Sequence, residues 1–117
     1  MTAAERLQLL LVEARAHINA AAAARALSPA TEAQALAAEL GDARAALQAA
    51  SWRALAQALL GEVEPARQQL HAAREQLGET ADALALSVWS GSLGYVLHLA
   101  GDHAAARVAL VLADDVD

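Results

Sequence analysis

Few residues in this chain could do chemistry. Four histidines, His17, His71, His98 and His103, are the candidates for metal binding or proton transfer. His98 and His103 stand five apart with Gly101 between them, which places them on different helices. His71 has Glu75 four residues on, and His17 has no His, Asp or Glu at i+3 or i+4. Zinc needs three or four converging ligands, so no metal site and no cofactor are expected. Ser87, Ser90 and Ser92 surround Gly91 in "SVWSGSLG". That run continues a helical period instead of turning out of a strand, so it is not a nucleophile elbow. The chain has neither Lys nor Cys, which removes phosphate-loop and thiolate chemistry. Glu62, Glu64, Asp114 and Asp115 read as helix caps and solvated ends. No enzymatic activity is expected.

The elements that position these residues are helices. The 117 residues include 35 Ala and 20 Leu, against seven Val, three Thr and one Ile. Ala and Leu favour helix, and strand-forming residues are scarce. An all-α fold follows. Punctuation is sparse: Gly41-Asp42, Gly61-Glu62 and Gly101-Asp102 each join a helix stop to an acid suited to the next start. Ser28-Pro29 reads as an N-cap with Pro in the first helical position, and Pro65 as another helix start, stopped at Gly78. These marks predict six helices at 2–26, 29–40, 42–60, 64–77, 80–100 and 102–114. The short connections make neighbours antiparallel.

The helices repeat. "ELGDARAALQAASW" and "QLGETADALALSVW" end at Trp52 and Trp89, 37 residues apart. "LLGEVEPARQQLHAA" and "LAGDHAAARVALVLA" lie 40 apart. The unit is a helical hairpin of 37–40 residues, giving one domain over 1–117 with hairpins at about 2–40, 42–77 and 80–114. The last hairpin carries Leu93-Gly94, Leu97, Gly101, Ala106 and Leu110, and the second keeps Gly61, Ala66 and Leu70 but has Arg53-Ala54 in place of Leu-Gly. This pattern resembles the tetratricopeptide repeat (TPR) family, in the longer-period form of bacterial regulatory proteins. The resemblance implies a short right-handed solenoid. It also implies a groove lined by the first helix of each hairpin, which binds proteins or peptides.

Helical spacing on those first helices marks Gln48, Ser51 and Leu55, then Val88, Tyr95 and His98, as candidate groove residues. The last helix has a different character. Between Asp102 and Asp114 only His103 and Arg107 interrupt an apolar run. A helix that is apolar all round is normally covered all round, whereas a terminal repeat helix should turn a polar face outward. Val108, Val111 and Leu112 are therefore candidates for self-association, as are Leu9 and Val12 on a second apolar face of the first helix.

The sequence thus predicts a protein–protein interaction or adaptor module, homodimeric and cytoplasmic. One alternative is a ligand-sensing domain like the effector regions of bacterial transcription regulators, with Trp52, Trp89 or Tyr95 on its pocket wall. The other is a structural repeat with no dedicated ligand. A net charge of −6 argues against nucleic acid as a partner. No run is apolar enough to predict a membrane span.

Overall fold

Helix starts follow the capping chemistry of the sequence. Thr2 and Glu5 form a reciprocal capping box, with the Glu5 N–H donating to Thr2 Oγ1 at 3.1 Å. The Ala45 N–H donates to Asp42 Oδ1 at 3.0 Å, and the Ala105 N–H to Asp102 Oδ1 at 3.2 Å. In the computed structural model, which describes residues 1–77 and 83–115, these caps open three of six helices. The helices are α1 (Ala3–Asn19), α2 (Ala23–Leu40), α3 (Ala43–Leu59), α4 (Val63–Leu77), α5 (Ala83–Leu99) and α6 (His103–Asp115). The fold is all-α, with no strand among the described residues. No described helix is long and apolar enough to cross a membrane.

One boundary departs from expectation. The first helix stops at Asn19 instead of running to residue 26, and α2 begins at Ala23, well before Ser28-Pro29. The turn lies in a run of alanines. The Ala22 N–H donates to the His17 carbonyl at 2.8 Å and the Ala21 N–H to the Ile18 carbonyl at 3.1 Å. Ala21 takes φ +58, in the left-handed region. The same two bonds end α2, where Asp42 and Gly41 donate to the Ala37 and Ala38 carbonyls, and the pattern recurs around Gly61 and Gly101. This is the paired-bond helix stop usually built on glycine. Pro29 then sits buried inside α2, giving up one intrahelical bond in the interior of the helix. Gly78 and the expected helix start at residue 80 lie outside the described residues.

The register is regular. Helices α1, α3 and α5 begin at residues 3, 43 and 83 and are 17 residues each; α2, α4 and α6 begin at 23, 63 and 103. The repeat is therefore 40 residues. The 37-residue spacing of Trp52 and Trp89 does not join equivalent positions: Trp52 corresponds to Ser92, and Trp89 to Ala49. Trp89 turns towards α4, donating its Nε1–H to the Leu70 carbonyl at 2.8 Å. Trp52 packs against both core clusters.

Successive helices pack as hairpins α1–α2, α3–α4 and α5–α6, and α1, α3 and α5 touch in series. Helix α3 is central, in contact with α1, α2, α4 and α5. Among the described residues the backbone of α2 does not closely approach that of α4, nor that of α4 the backbone of α6. One core cluster joins Leu7, Leu10 and Leu11 to the alanines of α2 and α3. The other joins Leu55, Leu70, Leu93, Val96 and Leu97.

Candidate interaction surfaces

Helix α6 is held down by its smallest residues. Ala106 and Ala109 are buried, while Val108, Leu110 and Val111 are 62%, 43% and 53% exposed. A close approach sets this arrangement. A Cβ on Gly94 would lie 2.7 Å from Leu110 Cγ and 3.3 Å from the Ala106 carbonyl oxygen. Gly94 leaves room for the Leu110 side chain against α5, while Val108 and Val111 stand on the two flanks of α6.

A groove runs along each flank. One, of about 460 Å³, is lined by His98, His103, Ala106, Arg107, Leu110 and Val111. It lies at the end of the stack. The other, of about 420 Å³, is lined by Trp89, Leu93, Leu97, Ala105, Val108 and Ala109, with Ser90. An internal comparison shows how unusual the second groove is. One repeat earlier the corresponding recess is lined by Arg53 and Gln69 in place of Leu93 and Ala109, with Gln34 and Gln76 beside them. There Arg53 Nη1 donates to Gln34 Oε1 at 3.1 Å. The same architecture is polar in the second hairpin and apolar in the third.

The six residues expected to line one groove fall in separate places. Gln48 and Val88 do come together, in a recess of about 150 Å³ where α1, α3 and α5 meet, shared with Val12, Trp52 and Leu84. Ser51 and Leu55 are interior. Ser51 is fully buried and donates Oγ–H to the Leu47 carbonyl of its own helix at 2.7 Å. Leu55 is part of the core. The physical reason is that α3 is packed on several sides, so a stripe that is amphipathic on paper passes into the interior along its length. Tyr95 is 48% exposed, and His98 lies in the end groove. Leu9 and Val12 are 53% and 65% exposed on α1. The side chain of Leu112 lies outside the described residues.

His98 and His103 do sit on different helices, yet their rings touch across the α5–α6 turn. Their Nδ1 atoms are 3.2 Å apart and the ring centroids 4.9 Å apart, edge to face. One ring donates and the other accepts. No third His, Cys, Asp or Glu joins them among the described residues. The serines are equally quiet. Ser90 and Ser92 are buried, and Ser92 Oγ has no hydrogen-bond partner among the described residues. Glu64 is paired with Arg67 at 2.6 Å.

No protein-family model, curated protein or solved structure matches this chain. Its own three hairpins are therefore the available standard of comparison. Sequence reasoning missed one surface residue through that standard. Leu110 reads as a hairpin filler like Leu70, but Leu70 is fully buried and Leu110 is not. Leu70 and Leu110 hold the same place in the 40-residue register, so no local signal separates them; α5 covers Leu70.

Proposed function

We propose that this chain is a TPR-like interaction module, an adaptor or regulator without catalytic activity of its own, which associates with further copies through its terminal helices. The observation that carries this reading is the exposure of Val108, Leu110 and Val111 on one short helix. Full burial of such a side chain contributes about 1.5–3 kcal/mol relative to leaving it exposed. These residues are roughly half exposed, so covering them adds about 1 kcal/mol each. Val108 on one flank of α6, Leu110 and Val111 on the other, and Leu9 and Val12 on α1 supply separate apolar patches for association, before its entropic cost. The polar-to-apolar contrast between the second and third hairpins supports the same reading, because an apolar flank without a partner favours aggregation.

Sedimentation of the unmodified chain over a range of concentrations tests it. The mass is expected to rise above the monomer, and Val108→Glu with Val111→Glu is expected to lower it while keeping helicity. A chain that stays monomeric at the highest concentration removes self-association from the proposal. A sensor of small apolar ligands is the second reading, favoured by Trp89 on the wall of the α5–α6 groove. A shift in Trp89 emission on titration with small apolar compounds, absent in Trp89→Phe, supports it; an unchanged spectrum removes it.

A further inference from the structure

The 40-residue register allows each terminal helix to be compared with the internal helices at the same positions. On α3, Ala45, Ala49 and Ala56 are buried, and Ala45 and Ala49 belong to the cluster formed with α1 and α2. On α5, the same positions are Ala85, Trp89 and Val96; Ala85 and Val96 are fully buried, and Val96 joins the cluster formed with α3 and α4. This is the face that each of these helices turns to the hairpin before it. On α1 those positions are Glu5, Leu9 and Ala16, all exposed, with exposed Val12 at the position of half-buried Trp52 and buried Ser92.

The opposite end shows the complementary half. Leu55, Ala58 and Leu70 are 8%, 4% and 0% exposed within the core that α5 closes over α3 and α4. Forty residues later stand Tyr95, His98 and Leu110. Tyr95 and Leu110 are 48% and 43% exposed, and His98 is exposed too. His98 and Leu110 line the end groove. The α1 face and the end groove are thus the two halves of one joint. The molecule makes that joint once with an apolar floor, where α5 closes over Leu55, Ala58 and Leu70; at the first seam the same positions are exposed Arg15, half-buried Ile18 and buried Ala30.

We propose that copies of this chain associate head to tail, with α1 of one copy seated in the end groove between α5 and α6 of the next. This rests on the self-association proposed above and specifies its geometry. The two contacting surfaces differ, so the contact is heterologous: it extends into a filament or closes into a ring, and it is not a two-fold dimer. The occupant is a second copy because α1 presents Leu9, Val12 and Ala16, all exposed, at three of the four positions on which an incoming first helix packs inside this same fold, with Glu5 at the fourth held in the capping box at the helix start.

Two variants with exposed substitutions test it by complementation. The front variant carries Leu9→Glu and Val12→Glu, and the back variant carries Tyr95→Glu and His98→Glu. Circular dichroism establishes that both keep the helicity of the unmodified chain. In sedimentation velocity, the unmodified chain is expected to grow beyond a dimer with concentration. Each variant alone is expected to stay monomeric, and an equimolar mixture to form a one-to-one dimer, since each supplies the face the other lacks. Self-association of the unmodified chain with no association in the mixture overturns the head-to-tail joint. So does a variant that alone dimerises as well as the unmodified chain; in both cases the broader reading stands. An unmodified chain that is monomeric throughout overturns both.

Discussion

Replacing Ala21 with glycine should stabilise this protein, although it deletes a methyl group from an alanine-rich helical fold. Ala21 has φ +58. Holding an L-residue with a Cβ in that region costs about 1–2 kcal/mol, which glycine avoids. Against this, glycine loosens the unfolded chain by about 0.4–1 kcal/mol. The net expectation is a gain of about 0.5–1 kcal/mol. The reverse change one turn later supplies the control. Gly41 has φ +66, and a Cβ there would meet nothing within 4 Å, so Gly41→Ala isolates the backbone term. It should cost about as much as Ala21→Gly gains. With a urea slope of about 1–2 kcal/mol/M for a domain of this size, the two midpoints should move in opposite directions by about 0.5 M. The measurement is made at a concentration low enough that association does not contribute. A midpoint lowered by both substitutions would show that the chain does not turn at residues 20–22 as described, and the 40-residue register would lose its first hairpin.

Other expectations concern packing. Gly94→Ala should destabilise the α5–α6 hairpin by about 1–3 kcal/mol, because the new methyl meets Leu110 at 2.7 Å; chemical denaturation measures it, and a neutral result would mean the helices can slide apart freely. Leu70→Ala should cost about 2–5 kcal/mol, as a fully buried leucine. The equivalent Leu110→Ala should cost much less in the monomer, and equal losses in thermal melts would contradict the difference in their exposure. Ser92→Ala should be neutral to stabilising by up to about 1 kcal/mol, because the Ser92 hydroxyl is buried without a hydrogen-bond partner among the described residues. A clear loss of stability on calorimetry would show that the Ser92 hydroxyl is hydrogen-bonded in the folded protein.

Much of the fold could be read from residues alone, and the failures have physical causes. Gly41, Gly61 and Gly101 marked three turns because glycine tolerates a left-handed backbone. The fourth turn was hidden because alanine occupies position 21 and bears the strain. Ser28-Pro29 offered a false start: its local chemistry fits a helix N-terminus, but tertiary packing buries Pro29 inside α2. The two tryptophans suggested a register three residues short, because they occupy inequivalent positions of the 40-residue unit: Trp89 turns to the Leu70 carbonyl, and Trp52 packs between the two core clusters. The surface was legible where it depended on composition. Val108, Val111, Leu9 and Val12 are exposed, as an excess of apolar residues on terminal helices implied. Ser51 and Leu55 were not legible, because the number of neighbours around α3 is a property of the whole stack. The contact between His98 and His103 was hidden for a similar reason, since it depends on the tight turn that folds α6 back on α5.

The seam between the first two hairpins has a kinetic consequence. Ala33 and Ala37 of α2 and Ala45 and Ala49 of α3 share one cluster, all at most 1% exposed. A methyl group has no rotamers to freeze, whereas each buried leucine gives up about 0.5–1 kcal/mol of side-chain freedom. The seam between the second and third hairpins holds Leu55, Leu70, Leu93 and Leu97. The first cluster also holds three buried leucines, Leu7, Leu10 and Leu11, all of them on α1. The alanine contact between α2 and α3 can form before they are ordered, and their cost of about 0.5–1 kcal/mol each falls on the docking of α1. The amides of α2 and α3 are therefore expected to be protected earlier than those of α1 in pulse-labelled hydrogen exchange during refolding.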